Sequence, residues 1–151
     1  MARVSDATVV GLRAAGSAVG ALLWCERRLA TALATAAISA TDPAVKIECA
    51  TLARHADWRA RQWFDVLPSQ PGLDFAALVV EPADAPSVLR MGDAEAVASA
   101  RGELVKWLAD RTADLAARAD AVGEGPTARA ALRVHADLIA DRALVARAGR
   151  G

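Results

Sequence analysis

Apolar residues recur every three to four positions along most of this chain, a spacing that predicts amphipathic helices. We expect four helices, covering residues 5–39, 43–66, 93–122 and 126–148. Asp42 followed by Pro43 forms a helix start, and the Gly-Glu-Gly-Pro run at 123–126 separates the last two helices. Strong helix formers dominate the composition and Tyr is absent, so the pattern favours an all-α fold.

Each predicted helix carries one apolar stripe that we expect to face the core. In the first helix the stripe is Leu12, Val19, Leu23, Ala30, Leu33 and Ala37, and in the second it is Val45, Cys49, Leu52, Ala56, Ala60 and Trp63. In the third it is Val97, Leu104, Leu108, Leu115 and Val122, and in the fourth Ala128, Ala131, Leu132, Ile139 and Ala146. Asp137 and Asp141 lie off this last stripe.

The segment at 67–92 has no clean helical period and is punctuated by prolines, and within it residues 76–80 read as extended. Such a long crossover between two short turns predicts a definite topology. The first and second helices should pair antiparallel, as should the third and fourth, while the second and third run parallel. We therefore expect one domain over residues 1–151, a four-helix bundle with a long crossover between helices two and three.

Composition narrows the classes of function. Acidic and basic residues balance at 18 each, which gives no bulk electrostatic reason to expect nucleic acid or an anionic membrane as partner. A net charge near zero favours self-association, and Trp58 and Trp107, which lie off their stripes, are typical of a subunit contact. Cys25 and Cys49 would lie roughly 13 Å apart along a helix hairpin, so we expect reduced thiols and a cytoplasmic protein. The N-terminal apolar segment reads as the first bundle helix.

Several ionisable side chains fall on or beside the stripes that should face the core. They are Glu26 on the first helix, Glu48, His55 and Arg59 on the second, Arg101 and Arg111 on the third, and His135 and Arg142 on the fourth. Buried ionisable groups are costly unless they are paired or bound to a metal. The centre of the bundle is therefore either an ion-pair network or a metal site.

The chain resembles the ferritin-like proteins. The likeness rests on the Trp-Cys-Glu-Arg-Arg-Leu run at 24–29, on two His-Ala-Asp segments beginning at His55 and His135, and on the long crossover. The resemblance implies iron or manganese bound by Glu26 and the two histidines. The family has Glu three residues before each metal-binding His, whereas this chain has Leu52 and Leu132 there.

Three expectations follow. The first is a ferritin-like bundle with a degenerate metal site, acting as a binding or interaction protein and forming a homo-oligomer. The second is an iron- or manganese-dependent oxidase or iron-binding protein of the same class, with Glu26, Glu48, His55 and His135 as metal ligands. The third is a binder of a small anion, with Glu26, His55, Arg101 and Arg142 as the ligand-binding residues. No motif identifies a catalytic residue.

Overall fold

The computed structural model describes the backbone of residues 6–69 and 74–149, and the side chains of 14–69 and 74–149. Seven α-helices lie within these residues, and the expected all-α class is confirmed. They are α1 (Asp6–Ser39), α2 (Pro43–Asp65), α3 (Phe75–Leu78), α4 (Ser87–Met91), α5 (Ala94–Ser99), α6 (Arg101–Ala121) and α7 (Gly125–Ala148). No helix among the described residues is long and apolar enough to cross a membrane.

Two pairs of long helices, α1 with α2 and α6 with α7, form most of the structure. The turn between α1 and α2 is tight because the Asp42 side chain accepts a hydrogen bond from the backbone N–H of Ala44, and Pro43 occupies the first helical turn. Arg101, the first residue of α6, reaches Glu48 near the start of α2. Helices α2 and α6 therefore begin at the same end and run parallel.

The structure divides the third predicted helix, residues 93–122, into two helices, α5 and α6, so the prediction of one continuous helix was wrong. Asp93 caps α5 by accepting a hydrogen bond from the N–H of Ala96. Helix α5 ends at Ser99, and the φ of −91° and ψ of 6° of the next residue, Ala100, interrupt the helical backbone before α6. The expected extended segment at 76–80 was also wrong. Asp74 caps a single helical turn there, and its side chain accepts from the N–H of Ala76.

The segment that joins α2 to α6 packs closely on α1. A Cβ atom added at Gly20 would lie 1.9 Å from the backbone oxygen of Leu78, so the glycine permits α3 to approach the α1 backbone. Further along α1, the guanidinium of Arg28 donates to the carbonyl oxygens of Leu89 and Arg90, at 3.4 and 2.6 Å. These contacts hold α3 and α4 at two points along the same helix.

Most residues of the predicted stripes are buried, with an error of phase in the fourth helix. Leu132 and Ile139, placed in the core of that helix, are 61% and 43% exposed. Val122, predicted as the end of the third stripe, follows the last residue of α6 and is 73% exposed. The buried face of α7 instead consists of Thr127, Ala128, Ala130, Ala131, Val134, Leu138 and Asp141. Because alanines occur on several faces of α7, the sequence pattern did not show which face of this helix is buried. The side chain of Leu12 lies outside the described residues.

Candidate functional site

Arg59 on α2 is the centre of a buried charged cluster. Its side chain is 0% exposed, and it donates from Nε to Oε1 of Glu26 on α1 at 2.9 Å. Its Nη1 donates to Oδ2 of Asp137 at 2.7 Å and to Oδ2 of Asp141 at 2.6 Å, both on α7. One guanidinium thus joins three long helices.

Helical spacing brings these groups together. Arg59 continues the buried face of α2 between Ala56 and Trp63, at intervals of three and four residues. Asp137 and Asp141 are one turn apart on α7, so both carboxylates point toward the same nitrogen of Arg59. Both aspartates lie on the face of α7 that packs against α2, and they therefore point into the protein.

His55, one turn before Arg59, extends the cluster toward solvent. Its Nδ1 lies 2.6 Å from Oδ1 of Asp141, and its side chain is 34% exposed. Asp137 is 26% exposed, whereas Asp141 is 1% exposed. Ligand atoms of these three residues all lie within 4.8 Å of one another, a separation that a metal ion could bridge. The site therefore has a closed inner end at Glu26 and an open end at His55.

The charges of the cluster do not cancel. Three carboxylates surround one guanidinium, so full ionisation leaves an excess of negative charge beside His55. Burial raises the pKa of Glu26, and this outweighs the attraction of Arg59; the neighbouring charges of Asp141 and Asp137 raise it further. Burial acts to lower the pKa of Arg59, but the charge of Glu26 and the hydrogen bonds raise it, so the guanidinium stays charged.

Two polar atoms of this cluster have no hydrogen-bond partner among the described residues, namely Oε2 of Glu26 and Nη2 of Arg59. A neutral Glu26 would place a proton on one carboxyl oxygen. The cluster is thus suited to take up a proton or a small cation that reduces its negative charge.

Glu48 and Arg101 form a separate pair at the other end of α2. Arg101 donates from Nε to Oε1 of Glu48 at 2.7 Å and from Nη2 to Oε2 at 3.2 Å. The hydrogen bond to Glu48 raises the pKa of Arg101. This two-pronged contact fixes the start of α6 against α2 and leaves Glu48 apart from the central cluster.

The remaining predicted residues lie elsewhere. His135 is half-buried on the side of α7 that faces α6, with its Nδ1 3.1 Å from the carbonyl oxygen of Ala109. Arg142 is exposed, which corrects its predicted place near the centre of the fourth stripe. Arg111 is partly exposed, pairs with Asp84, and stacks 4.9 Å from the ring of Trp107.

Asp137 and Asp141, set off the stripe by the sequence pattern, are the residues that the prediction missed. The incorrect placement of Arg142 near the core has the same origin, because choosing the wrong buried face of α7 misplaces all three residues together. Val134 and Leu138 carried the correct phase, since they lie on the same face of α7 as Asp137 and Asp141 and are both 0% exposed. The larger Leu132 and Ile139 drew the prediction to the opposite face.

The thiols offer no reactive group. Cys25 and Cys49 are both free and buried, as expected. Burial, together with the charge of Glu26, raises the pKa of Cys25 to about 12, and burial raises the pKa of Cys49. Both groups are therefore neutral thiols at physiological pH and poor nucleophiles.

The central cluster can hold charge and fix three helices, and its described side chains include no nucleophile paired with a base. Its partly exposed His55 and Asp137 are the positions at which a solute reaches it. Comparison with known protein families, with curated proteins and with solved structures gave no match to this chain.

Proposed function

We propose that this chain is a ferritin-like four-helix bundle in which the ion pairs of Arg59 replace the metal centre, and that it acts as a binding or interaction protein. The observation that carries the proposal is the Arg59 guanidinium, buried between Glu26 and the two aspartates of α7. The parallel course of α2 and α6, joined by a long crossover, supports the ferritin-like topology.

Charge explains why a pair of iron ions is unfavourable here. Two divalent cations need a surplus of carboxylate oxygens, and a guanidinium is permanently protonated and repels them. Arg59 already bonds Oε1 of Glu26 and Oδ2 of both aspartates. The positive charge that a metal would supply in a ferritin-like centre is supplied by this side chain.

Elemental analysis tests the proposal. The purified chain would be incubated anaerobically with Fe²⁺ or Mn²⁺, desalted and analysed for bound metal. We expect at most one ion per chain and no uptake of oxygen with iron. Two tightly bound ions per chain, lost in Glu26→Ala, would contradict the proposal and favour the metal-dependent oxidase or iron-binding protein of the same class.

A second function, the binding of one divalent cation, is favoured by the open end of the cluster. His55, Asp137 and Asp141 offer one nitrogen and two carboxylates within 4.8 Å of one another, and two of the three side chains reach solvent. Such a donor set suits Mn²⁺, Fe²⁺ or Zn²⁺. A cation here would compete with Arg59 for oxygens of Asp137 and Asp141.

Titration calorimetry with Mn²⁺ and Zn²⁺ tests this second function, and the two histidines give a matched pair of variants. His55→Ala should abolish a genuine site, whereas His135→Ala should leave it unchanged because His135 lies against Ala109. Equal loss in both variants, or no binding by the unmodified chain, would rule out the cation site.

The interaction role also requires accessible apolar surface. An alanine-rich groove between α1 and α2 is bordered by Ile38 and Trp58, which are 82% and 40% exposed. We expect homo-oligomers to use this groove, because Trp107 is covered by Arg111. Sedimentation velocity of the unmodified chain and of Trp58→Ala tests this, and a monomer in both would exclude self-association through the groove.

A further inference from the structure

The outer face of α7 differs sharply in charge from the neutral chain as a whole. The helix contains two acidic residues, Asp137 and Asp141, and both are turned inward to Arg59. Its exposed charged residues are all basic, namely Arg129, Arg133, Arg142 and Arg147. None of these four arginines forms a salt bridge with another described residue.

An apolar stripe runs along the centre of this basic face. Leu132, Ala136, Ile139 and Ala143 follow one another at intervals of four, three and four residues, and all are exposed. Leu132 and Ile139 are the large members, at 61% and 43% exposure. At 100° per residue, the arginines at 129, 133 and 147 lie on the edge nearer α2, and Arg142 lies on the edge nearer α6. The face is thus an apolar seam with three arginines on the α2 side and, on the α6 side, Arg142 toward one end and Asp120 of α6 beside Leu132 toward the other.

We propose that this face of α7 binds an acidic amphipathic α-helix of another protein. The spacing of the stripe matches the seam along which two helices pack, in which apolar residues repeat every three or four positions. Glutamates or aspartates flanking the partner's own apolar stripe would then meet the arginines on either side. Charge complementarity of this kind sets the orientation of a partner and accelerates its association.

Other occupants fit the face less well. A second copy packing α7 against α7 would oppose arginines to arginines, which is repulsive. Nucleic acid would meet the arginines but has no apolar counterpart for Leu132 and Ile139. A membrane-bound helix usually inserts a broad apolar face, whereas this face exposes two large apolar side chains.

The inference deepens the proposed interaction role, on which it rests, by naming the partner's chemistry and the surface that receives it. It does not depend on the metal content of the central cluster. The two tests are therefore separable: elemental analysis addresses the cluster, and the binding measurement below addresses α7 alone.

Fluorescence anisotropy with a labelled synthetic peptide tests the proposal on the full chain. The probe is a cross-linked helix with leucines along one face and glutamates on both flanks, and the reference peptide has lysines in place of the glutamates. The variant Arg133→Glu/Arg142→Glu reverses the charge of two arginines on the α7 face, one on each side of the seam. Arg27→Glu/Lys46→Glu makes the same change of net charge on exposed positions of α1 and α2, outside the α1–α2 groove, and is the matched control. A Leu132→Ser/Ile139→Ser variant tests the apolar seam.

We expect saturable binding of the glutamate peptide that weakens as NaCl is raised, with no binding of the lysine peptide. The α7 reversal and the seam variant should each weaken binding about tenfold or more, and the control reversal should change it by less than about twofold. Circular dichroism should be unchanged in all variants, since the altered side chains are exposed. Equal loss of binding in the control variant would overturn the proposal, as would a failure of the peptide to bind. Arginine-dependent binding of phosphatidylglycerol vesicles or duplex DNA in place of the peptide would likewise overturn it.

Discussion

Replacing Arg59 by methionine is the sharpest perturbation of the central cluster. Methionine keeps much of the length and apolar contact of the arginine side chain but removes its charge and all donors. Glu26 and Asp141, which are 0% and 1% exposed, would lose the group that neutralises them. Asp137, at 26% exposure, would still contact water.

The magnitude follows from what the stranded carboxylates must do. A buried carboxylate without a counter-charge escapes by taking up a proton, which at pH 7 costs about 1.4 kcal/mol for each unit separating the pH from an unfolded pKa near 4. One such protonation amounts to roughly 4 kcal/mol, within the range of about 3–5 kcal/mol for breaking a buried ion pair on one side. Glu26 and Asp141 are the buried carboxylates that lose their counter-charge, so the cost falls on these two groups.

Equilibrium urea unfolding followed by circular dichroism measures this cost. We expect Arg59→Met to lose about 3–5 kcal/mol at pH 7 and only about 1–2 kcal/mol at pH 5, where protonation is easier. Arg61→Met, at an exposed arginine on the same helix, should cost less than about 1 kcal/mol. Should Arg59→Met fail to fold, Arg59→Lys keeps the charge and should retain part of the stability. A loss below about 1 kcal/mol, or one independent of pH, would refute the reasoning.

Three further predictions concern other parts of the structure. Because the pKa of Glu26 is raised on folding, its contribution to stability is present below its unfolded pKa and is lost as pH rises through the folded pKa. The stability of Glu26→Gln relative to the unmodified chain should therefore increase with pH. A difference in unfolding free energy that stays constant with pH would contradict this. Gly20→Ala should cost about 1–3 kcal/mol and speed amide hydrogen exchange around Leu78, because the added methyl group meets its backbone oxygen; unchanged exchange would count against the close packing. Cys25, whose pKa is raised to about 12, should react with a disulfide reagent at pH 8 only as fast as the chain unfolds, and fast labelling of the native protein would refute its burial.

Much of the fold could be predicted because helix boundaries depend on local chemistry. Asp42 and Pro43 mark the start of α2 in the sequence, and the structure begins the helix at Pro43 with Asp42 as its cap. The break at Ala100 could not be predicted, since alanine favours helix and nothing local interrupts the pattern there. Tertiary packing of the segment 94–99 against α1 accompanies that break.

The sequence predicted that ionisable side chains meet in the centre of the bundle, but it could not identify all of the residues involved. Glu26 and Arg59 lie on or beside unambiguous apolar stripes, so their burial was expected. On α7, alanines on every side left the phase to be judged from a few large residues. Leu132 and Ile139 form a second stripe that faces outward. The prediction took this stripe as the buried face, which lies about half a helical turn from Asp137 and Asp141.

The shared guanidinium also constrains how this chain can evolve. Because Arg59 pairs with acids on two other helices, its substitution leaves several carboxylates without a counter-charge until further changes follow. A lineage that acquired a metal centre in place of this cluster would first have to lose the arginine and pass through a poorly folded intermediate. The four residues are therefore expected to persist or disappear as a unit across descendants of this sequence.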